Sequence, residues 1–481
     1  MNFVIPSFAP AIPEMVLLGL ISFILIADTF WSKRYQFATY YATQISLVVV
    51  GYLVLSSFTT VQVITFDGSF VRDSFADVLK LFTVLVSLGI FLFSREYLLQ
   101  HKFYSGEFFI LGLFGVLGMF VMISAHNMIT MFIGLEIMSL AMYAMIALRK
   151  DYRQGLEAAI KYFVLGALAT GMLLYGFSML YGATGSITFP EMAKIIESGN
   201  VDKVVLSFGV VFVVIGLAFK LGAVPFHMWM PDVYQGAPSA VTLYLGTAPK
   251  IAGFAMLYRL LEEALPGLVE DWQSLIIMIS VLSMVVGSLI AIVQDNLKRM
   301  LAYSGIGHIG FLLLGVIAAT PEGYAASMFY VIVYALTGVA GFGMIVALSK
   351  TGNEFDKISD FIGLNTRSPW LAFMMLIIMF SMAGIPPFIG FWAKIIVIEE
   401  VIKAGFVWIA VIGVIMAVIS AFYYLKVVKA MYFDKPEDTS PIETTSSGSN
   451  WAVSFFALAL LVLGLVPSSL IDLTYKSLTT L

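Results

Sequence analysis

Along this chain, apolar runs long enough to cross a bilayer alternate with short joints carrying charge, Gly or Pro. They lie near 12 to 31, 38 to 58, 76 to 94, 107 to 124, 127 to 148, 158 to 181 and 204 to 230. Seven more lie near 238 to 261, 272 to 293, 300 to 318, 325 to 349, 369 to 403, 407 to 431 and 450 to 468. A spanning helix needs about 20 mostly apolar residues, so the pattern predicts an all-α polytopic membrane protein of about 14 transmembrane helices. The run 369 to 403 exceeds one span and carries Pro386 and Pro387 in its middle, which predicts a broken helix counted once. The first apolar run follows no basic start and no small-residue cleavage site, so it is expected to remain in the mature protein.

The basic residues test this map. Of 26 Lys and Arg, sixteen fall on one side of the predicted membrane: 33, 34, 95, 102, 149, 150, 153, 161, 298, 299, 350, 357, 367, 426, 429 and 435. Six fall on the other (72, 194, 203, 259, 403, 476), and Lys80, Lys220, Lys250 and Lys394 fall inside spans. That asymmetry puts loops after odd-numbered helices in the cytoplasm and both termini on the opposite face. Two loops are long. Residues 182 to 203 include an amphipathic stretch suited to the membrane surface, and 434 to 449 are polar and flexible in composition.

A repeat appears at an offset of 162 residues: Gly222-Ala-Val-Pro225-Phe226 and Gly384-Ile-Pro-Pro387-Phe388 share G-x-x-P-F, each with a lysine nearby, Lys220 and Lys394. The predicted seventh and twelfth helices that hold them are five spans apart, so they run in opposite directions, as an inverted repeat requires. Gly and Pro are common in membrane helices, and chance is the alternative for so short a match.

Composition narrows the chemistry. Of 481 residues, 60% are apolar and 12% charged, and there is no cysteine, which excludes thiolate catalysis, Cys-ligated zinc and ordinary iron-sulfur clusters on this chain. Four histidines, at 101, 126, 227 and 308, are too scattered for a sequence-local metal site. A net charge of −4 without basic runs argues against nucleic-acid binding. Gly305-Ile-Gly307-His-Ile-Gly310 matches GxGxxG but follows no strand and lies in an apolar helix, which reads as helix packing.

The informative residues are ionisable groups at membrane depth: Glu136, Lys220, Lys250 and Lys394. At roughly 2.5 to 3.5 kcal/mol each on insertion scales, four such groups cost on the order of 10 kcal/mol unless paired or hydrated. Ion pairs that glue helices, or side chains snorkelling to the interface, are the structural alternatives; snorkelling suits Lys80 and Lys161, near helix ends. Three central lysines against one carboxylate leave positive charge over, so water must enter. Burial disfavours a protonated amine and a carboxylate favours it, so moving Glu136 relative to Lys220 would make the lysine bind or release a proton. His227 and His308 are weaker relay candidates, each equally well read as a hydrogen-bonded core histidine.

These residues also carry a resemblance. VPFHMWMPDVYQGAPSAVT (224 to 242), FIGLEIMSLAMYAM around Glu136, LEAAIKYFVLGALATG from 156, DNLKRMLAYSGIGHIGFLLLG from 295, SMAGIPPFIGFWAK up to Lys394 and FYYLKVVKAMYF together resemble the subunit N family. These are antiporter-like membrane subunits of bacterial proton-pumping NADH-quinone oxidoreductase, respiratory complex I. The match covers most of 107 to 433, and DVYQGAP is its most specific part. The resemblance implies fourteen helices with two inverted five-helix repeats, helices four to eight and nine to thirteen, each with a broken helix. It implies a single membrane domain with an N-terminal part at 12 to 94, a first repeat at 107 to 261, a second at 272 to 431 and a final helix at 450 to 468. Glu136, Lys220, Lys250 and Lys394 match the family's relay positions without departure.

By the same resemblance, the chain is expected to translocate protons in a bacterial inner membrane beside other complex I subunits. NADH, FMN, iron-sulfur clusters and quinone are expected on those other subunits, with no cofactor or metal on this chain. A stand-alone or Mrp-type cation/proton antiporter and a non-pumping scaffold are the alternative readings.

Overall fold

The computed structural model describes residues 6–31, 37–350, 354–436, 440–442 and 444–479. Lys33 and Arg34, used above for topology, and part of the polar loop 434 to 449 lie outside the described residues. The first helices are α1 (Ile12–Phe30), α2 (Ala38–Ser56) and α3 (Ser74–Gln100), with a hairpin of β1 (Val63–Thr65) and β2 (Phe70–Arg72) before α3. Then come α4 (Gly106–Ile123), α5 (Met128–Ala147), α6 (Arg153–Thr184), α7 (Phe189–Glu197), α8 (Lys203–Leu221), α9 (Trp229–Gly236), α10 (Ser239–Leu245) and α11 (Ala248–Tyr258). A second group holds α12 (Val269–Ile292), α13 (Leu297–Ile317), α14 (Pro321–Leu348), α15 (Leu364–Arg367), α16 (Pro369–Ala383), α17 (Ile389–Lys403) and α18 (Val407–Tyr432). Helices α19 (Ser447–Leu465) and α20 (Ser468–Thr479) close the described chain.

Among the described residues, thirteen helical stretches are long and apolar enough to cross a membrane. The fourteenth predicted span is the broken one, two fifteen-residue pieces, α16 and α17, on either side of Gly384–Phe388. Two other predicted spans are also interrupted. The run 204 to 230 stops as a helix at Leu221, and the run 238 to 261 breaks between Leu245 and Ala248.

Helix starts are written in the sequence by side chains that accept from the first free backbone amides: Asp73 from Ala76, Asn127 from Thr130, Asp202 from Val204, Asn296 from Arg299 and Thr320 from Gly323. The centre of the bundle is α14 with α10 and α11, whose residues are almost wholly buried, while α1, α2, α6 and α18 turn apolar faces such as Ile160, Val164 and Leu168 outward. Such faces in a polytopic chain suit contact with lipid or with a neighbouring membrane subunit.

Two parts of the chain, one around α4 and α5 and one around α12 and α13, match in detail. Asn127 and Asn296 both cap a helix and both make an isolated antiparallel bridge, to Thr188 and Lys357, so both partners recur 169 positions later. Helix α4 packs on α5 and α12 on α13 through glycine: a Cβ on Gly118 would lie 2.5 Å from the Met138 amide nitrogen, and one on Gly287 would lie 2.4 Å from that of Gly307. Gly310 is as tight, a Cβ there meeting the Met284 amide nitrogen at 2.7 Å, so the GxGxxG motif lies in a close helix contact.

Two expectations are corrected. Lys80 does not snorkel: it is 1% exposed, 2.5 Å from Glu14 of α1, with Phe70 and Phe120 around the ammonium. The amphipathic stretch in 182 to 203 forms α7, but its apolar side, Phe189, Met192 and Ile196, is buried against the π-helical turn Arg259–Ala264 that ends α11 rather than turned to lipid.

Candidate functional site

Both proline breaks are built the same way. Helix α8 ends at Gly222 and α16 at Gly384, both at positive φ (79° and 83°), where only glycine is unstrained. In each, the amide one residue later bonds back to the carbonyl five residues earlier: Ala223 to Ala218 at 2.8 Å and Ile385 to Phe380 at 3.0 Å. The carbonyl just before the glycine then receives an ammonium. Lys250 Nζ donates to Leu221 O at 2.7 Å, and Lys394 Nζ donates to Ala383 O at 2.8 Å. Each ammonium also faces a ring, Trp229 at 5.5 Å and Phe311 at 5.3 Å. Both lysines are buried, at 2% and 6% exposed. A helix C-terminus inside the membrane leaves carbonyls unsatisfied and carries the negative end of the dipole, so it holds a cation without a carboxylate.

This corrects the sequence pairing of Lys220 with Lys394. The geometric counterpart of Lys394 is Lys250, which reaches the break from a helix 28 residues downstream. Lys220 lies in the last turn of α8 and donates to Ser139 Oγ of α5 at 2.7 Å. It forms no ion pair with any described carboxylate. Glu136, one turn earlier on α5, is half-buried, and its Oε1 is enclosed without a hydrogen-bond partner. Tyr143, whose hydroxyl is also enclosed and unpartnered, continues the same stripe, so Glu136, Ser139 and Tyr143 lie on one helix face. The expected pair is therefore a lysine held on α5 by Ser139 and a carboxylate one turn away on the same helix, with no hydrogen bond between the two among the described residues.

The two histidines differ. His227 lies in the break after α8, with a buried Nδ1 that has no partner, beside the exposed Met228. His308 on α13 is fully engaged, Nδ1 with the Tyr330 hydroxyl at 2.7 Å and Nε2 with that of Tyr424 at 3.0 Å, and Tyr424 also bonds Ser304. Beside it is a small cavity of about 20 Å³, room for about one water, lined by His308, Tyr330, Tyr334, Thr337, Ser381 and Gly390. Gly390 precedes Lys394 by one turn, so this cavity approaches the second break. Ser139, Tyr330 and Tyr424 were not singled out from the sequence. Spacing three residues from Glu136 was the available signal for Ser139; the tyrosines had none.

On the face assigned to the cytoplasm, Asp232 of the DVYQGAP stretch pairs with Lys161 at 3.1 Å and Arg299 at 2.7 Å. Lys161 is exposed, as a snorkelling side chain would be. The next turn is clamped: Lys298 donates to Ala237 O at 3.0 Å, and Glu354 accepts from Ser239 Oγ at 2.8 Å and from the Tyr97 hydroxyl at 2.5 Å. Among the described residues, no group of three or more His, Asp or Glu is close enough to hold a metal ion.

Residues 125–420 match a family model described as the transmembrane part of NADH:quinone oxidoreductase and Mrp antiporter subunits. The chain is 76% identical over 478 residues to NADH-quinone oxidoreductase subunit N of Hydrogenovibrio crunogenus, covering 99% of this chain and 100% of that relative. A chain of respiratory complex I from Thermus thermophilus, solved with bound aureothin, superposes with a TM-score of 0.83 at 30% identity, covering 97% of this chain and 100% of that one. A chain of the Mrp complex from Dietzia sp. shares the fold, with a TM-score of 0.81 at 20% identity, over 98% of this chain and 97% of that one.

Proposed function

The chain belongs to the subunit N family of the NADH-quinone oxidoreductases, and from that membership we propose that it moves protons across the membrane through Glu136, Lys220, Lys250 and Lys394. It is a multi-pass membrane protein whose partners are other complex I subunits. Electron transfer from NADH to quinone, with its flavin and iron-sulfur centres, is assigned to those subunits. The units carrying the path are 107 to 261 and 272 to 431, flanked by 12 to 94 and 450 to 468. The membrane is the bacterial inner membrane, with both termini on the non-cytoplasmic face.

The observation that carries this reading is the matched seating of Lys250 and Lys394 on two broken-helix ends. A helix end stabilises the ammonium, yet a neutral amine can leave it at modest cost, so each lysine is held without being locked in a salt bridge. Lys220, in the last turn of α8, and Lys250, on its final carbonyl, bring two positive charges to the same end of the helix. Approach of Glu136 to Lys220 stabilises its ammonium; withdrawal releases the proton toward Lys250. A conformational or electrostatic signal from the redox subunits drives that movement. Lys394 is the exchange residue of the second unit, and His308, hydrogen-bonded to Tyr330 and Tyr424, is the nearby relay candidate. His227, in the first break, is the weaker one.

The Mrp-type antiporter reading uses the same fold, but the likeness at 20% identity concerns fold alone, whereas 76% identity over the full chain favours the redox-driven complex. The test is Lys220→Ala and Glu136→Ala in an assembled complex. Both are expected to lower the protons moved per NADH oxidised, and a normal ratio in both would remove the assignment. Na⁺/H⁺ exchange by the purified chain in liposomes would favour the antiporter reading.

A further inference from the structure

A second buried charge cluster stands apart from the lysine axis. Arg259, fully buried in the turn that ends α11, pairs with Asp73 at 2.8 Å, bonds Glu263, and donates from Nε to Ile123 O at 3.3 Å. Oε2 of Glu263 lies 3.6 Å from Nδ1 of His126. His126 is 4% exposed, and both of those atoms are enclosed without a hydrogen-bond partner. The imidazole is fixed in place by its own backbone, whose N–H donates to Ser69 O and whose carbonyl accepts from Phe189 N, each at 3.2 Å.

Charge and position both argue for a proton at this site. Two carboxylates, Asp73 and Glu263, face one guanidinium. Glu262 on the same turn adds a third carboxylate, neighboured by Tyr258 and Tyr324, and from α7 the Phe189 ring packs edge-on against the imidazole. An uncompensated negative charge in so enclosed a place is costly, and a proton shared between Nδ1 and Oε2 compensates it. The Glu263 side chain is 16% exposed, so the pair reaches the surface through it. His126 immediately precedes Asn127, the cap of the helix that carries Glu136, and Arg259 follows Lys250 by nine residues, about 13 Å along the helix.

We propose that His126 and Glu263 form a proton-holding site through which the first five-helix unit exchanges protons with the membrane face opposite the cytoplasm. The step is a transfer from imidazolium Nδ1 to the Glu263 carboxylate and from there to surface water, with no change of oxidation state. This rests on the pumping reading above. The test uses inverted membrane vesicles containing the whole complex, whose lumen is that face, with assembly measured by NADH oxidation by ferricyanide. His126→Gln and Glu263→Gln are expected to lower coupled turnover by about five- to tenfold and to flatten its dependence on lumenal pH, while Glu263→Asp retains both. Wild-type turnover and lumenal pH dependence in both Gln variants would overturn the proposal. So would loss of assembly in all three, which assigns the cluster a structural role. Lys220→Ala, measured in parallel, separates the two claims: a normal proton ratio there removes the pumping assignment itself.

Discussion

Replacing Ser139 by alanine removes the one hydrogen bond that holds Lys220 against α5, at 2.7 Å. A hydrogen bond to a charged group is worth about 1.5 to 3 kcal/mol, and each 1.4 kcal/mol is tenfold, so the position of Lys220 beside α5 is disfavoured by about 10- to 150-fold. Water taking the hydroxyl's place returns part of that, and the expected fall in coupled turnover is about three- to tenfold. The assay is NADH-driven quinone reduction and proton uptake by vesicles, normalised to assembled complex by ferricyanide reduction. Ser139→Thr keeps the hydroxyl and is expected to retain most of the activity. Wild-type coupled turnover in Ser139→Ala, alongside an impaired Lys220→Ala, would refute the reasoning that the serine positions the lysine.

Gly118→Val forces a side chain to within 2.5 Å of the Met138 backbone nitrogen. Overpacking of this kind costs about 1 to 3 kcal/mol, so the amount of assembled complex is expected to fall, and an unchanged yield would mean that α4 and α5 are not packed this closely. Glu354 supplies a pH prediction. Burial alone pushes its carboxyl up, but Lys298 and the Tyr97, His101 and Ser239 side chains outweigh it and hold the group below the usual carboxylate range. Its contribution is therefore complete above the unfolded value of about 4.3 and is lost as pH falls through the lower folded value. Hydrogen exchange at residues 236 to 239 is expected to rise on acidification below about 4.3, and Glu354→Gln should raise it already at neutral pH and remove that acid step. Equal acid responses in the two proteins would sink the argument.

Much of this architecture is legible because charge is so scarce. With 12% charged residues, Lys220, Lys250 and Lys394 stand out against apolar runs, and the paired G-x-x-P-F segments mark both broken helices. What the pattern does not carry is partnership through space. Lys250 caps a carbonyl 29 residues earlier, and nothing in spacing distinguishes it from Lys220 as the partner of the first break. Lys80 reads as a snorkelling residue because Glu14, at the start of another helix, is equally unremarkable by itself. The α7 stretch has the periodicity of a surface helix, and periodicity does not say whether lipid or the π-helical turn 259 to 264 covers the apolar side.

The two units share a scaffold and not a set of titrating groups. At the register of the two glycines, Met382 stands where Lys220 stands and Asp232 stands where Lys394 stands; at the register of the two asparagine caps, Gly305 replaces Glu136 and His308 replaces Ser139. Both units keep what a broken helix physically requires: a glycine at positive φ, the back-bonded amide and a lysine on the last free carbonyl. Around that constant element, the first unit has a carboxylate and a second lysine, and the second has an imidazole held between two tyrosine hydroxyls beside a small cavity. A carboxylate approaching a lysine changes proton affinity when helices move, while a hydrogen-bonded imidazole passes protons with its neighbours in place. Under the proposed function, that difference would put the response to the conformational signal at Glu136 and Lys220, and onward transfer at His308 and Lys394.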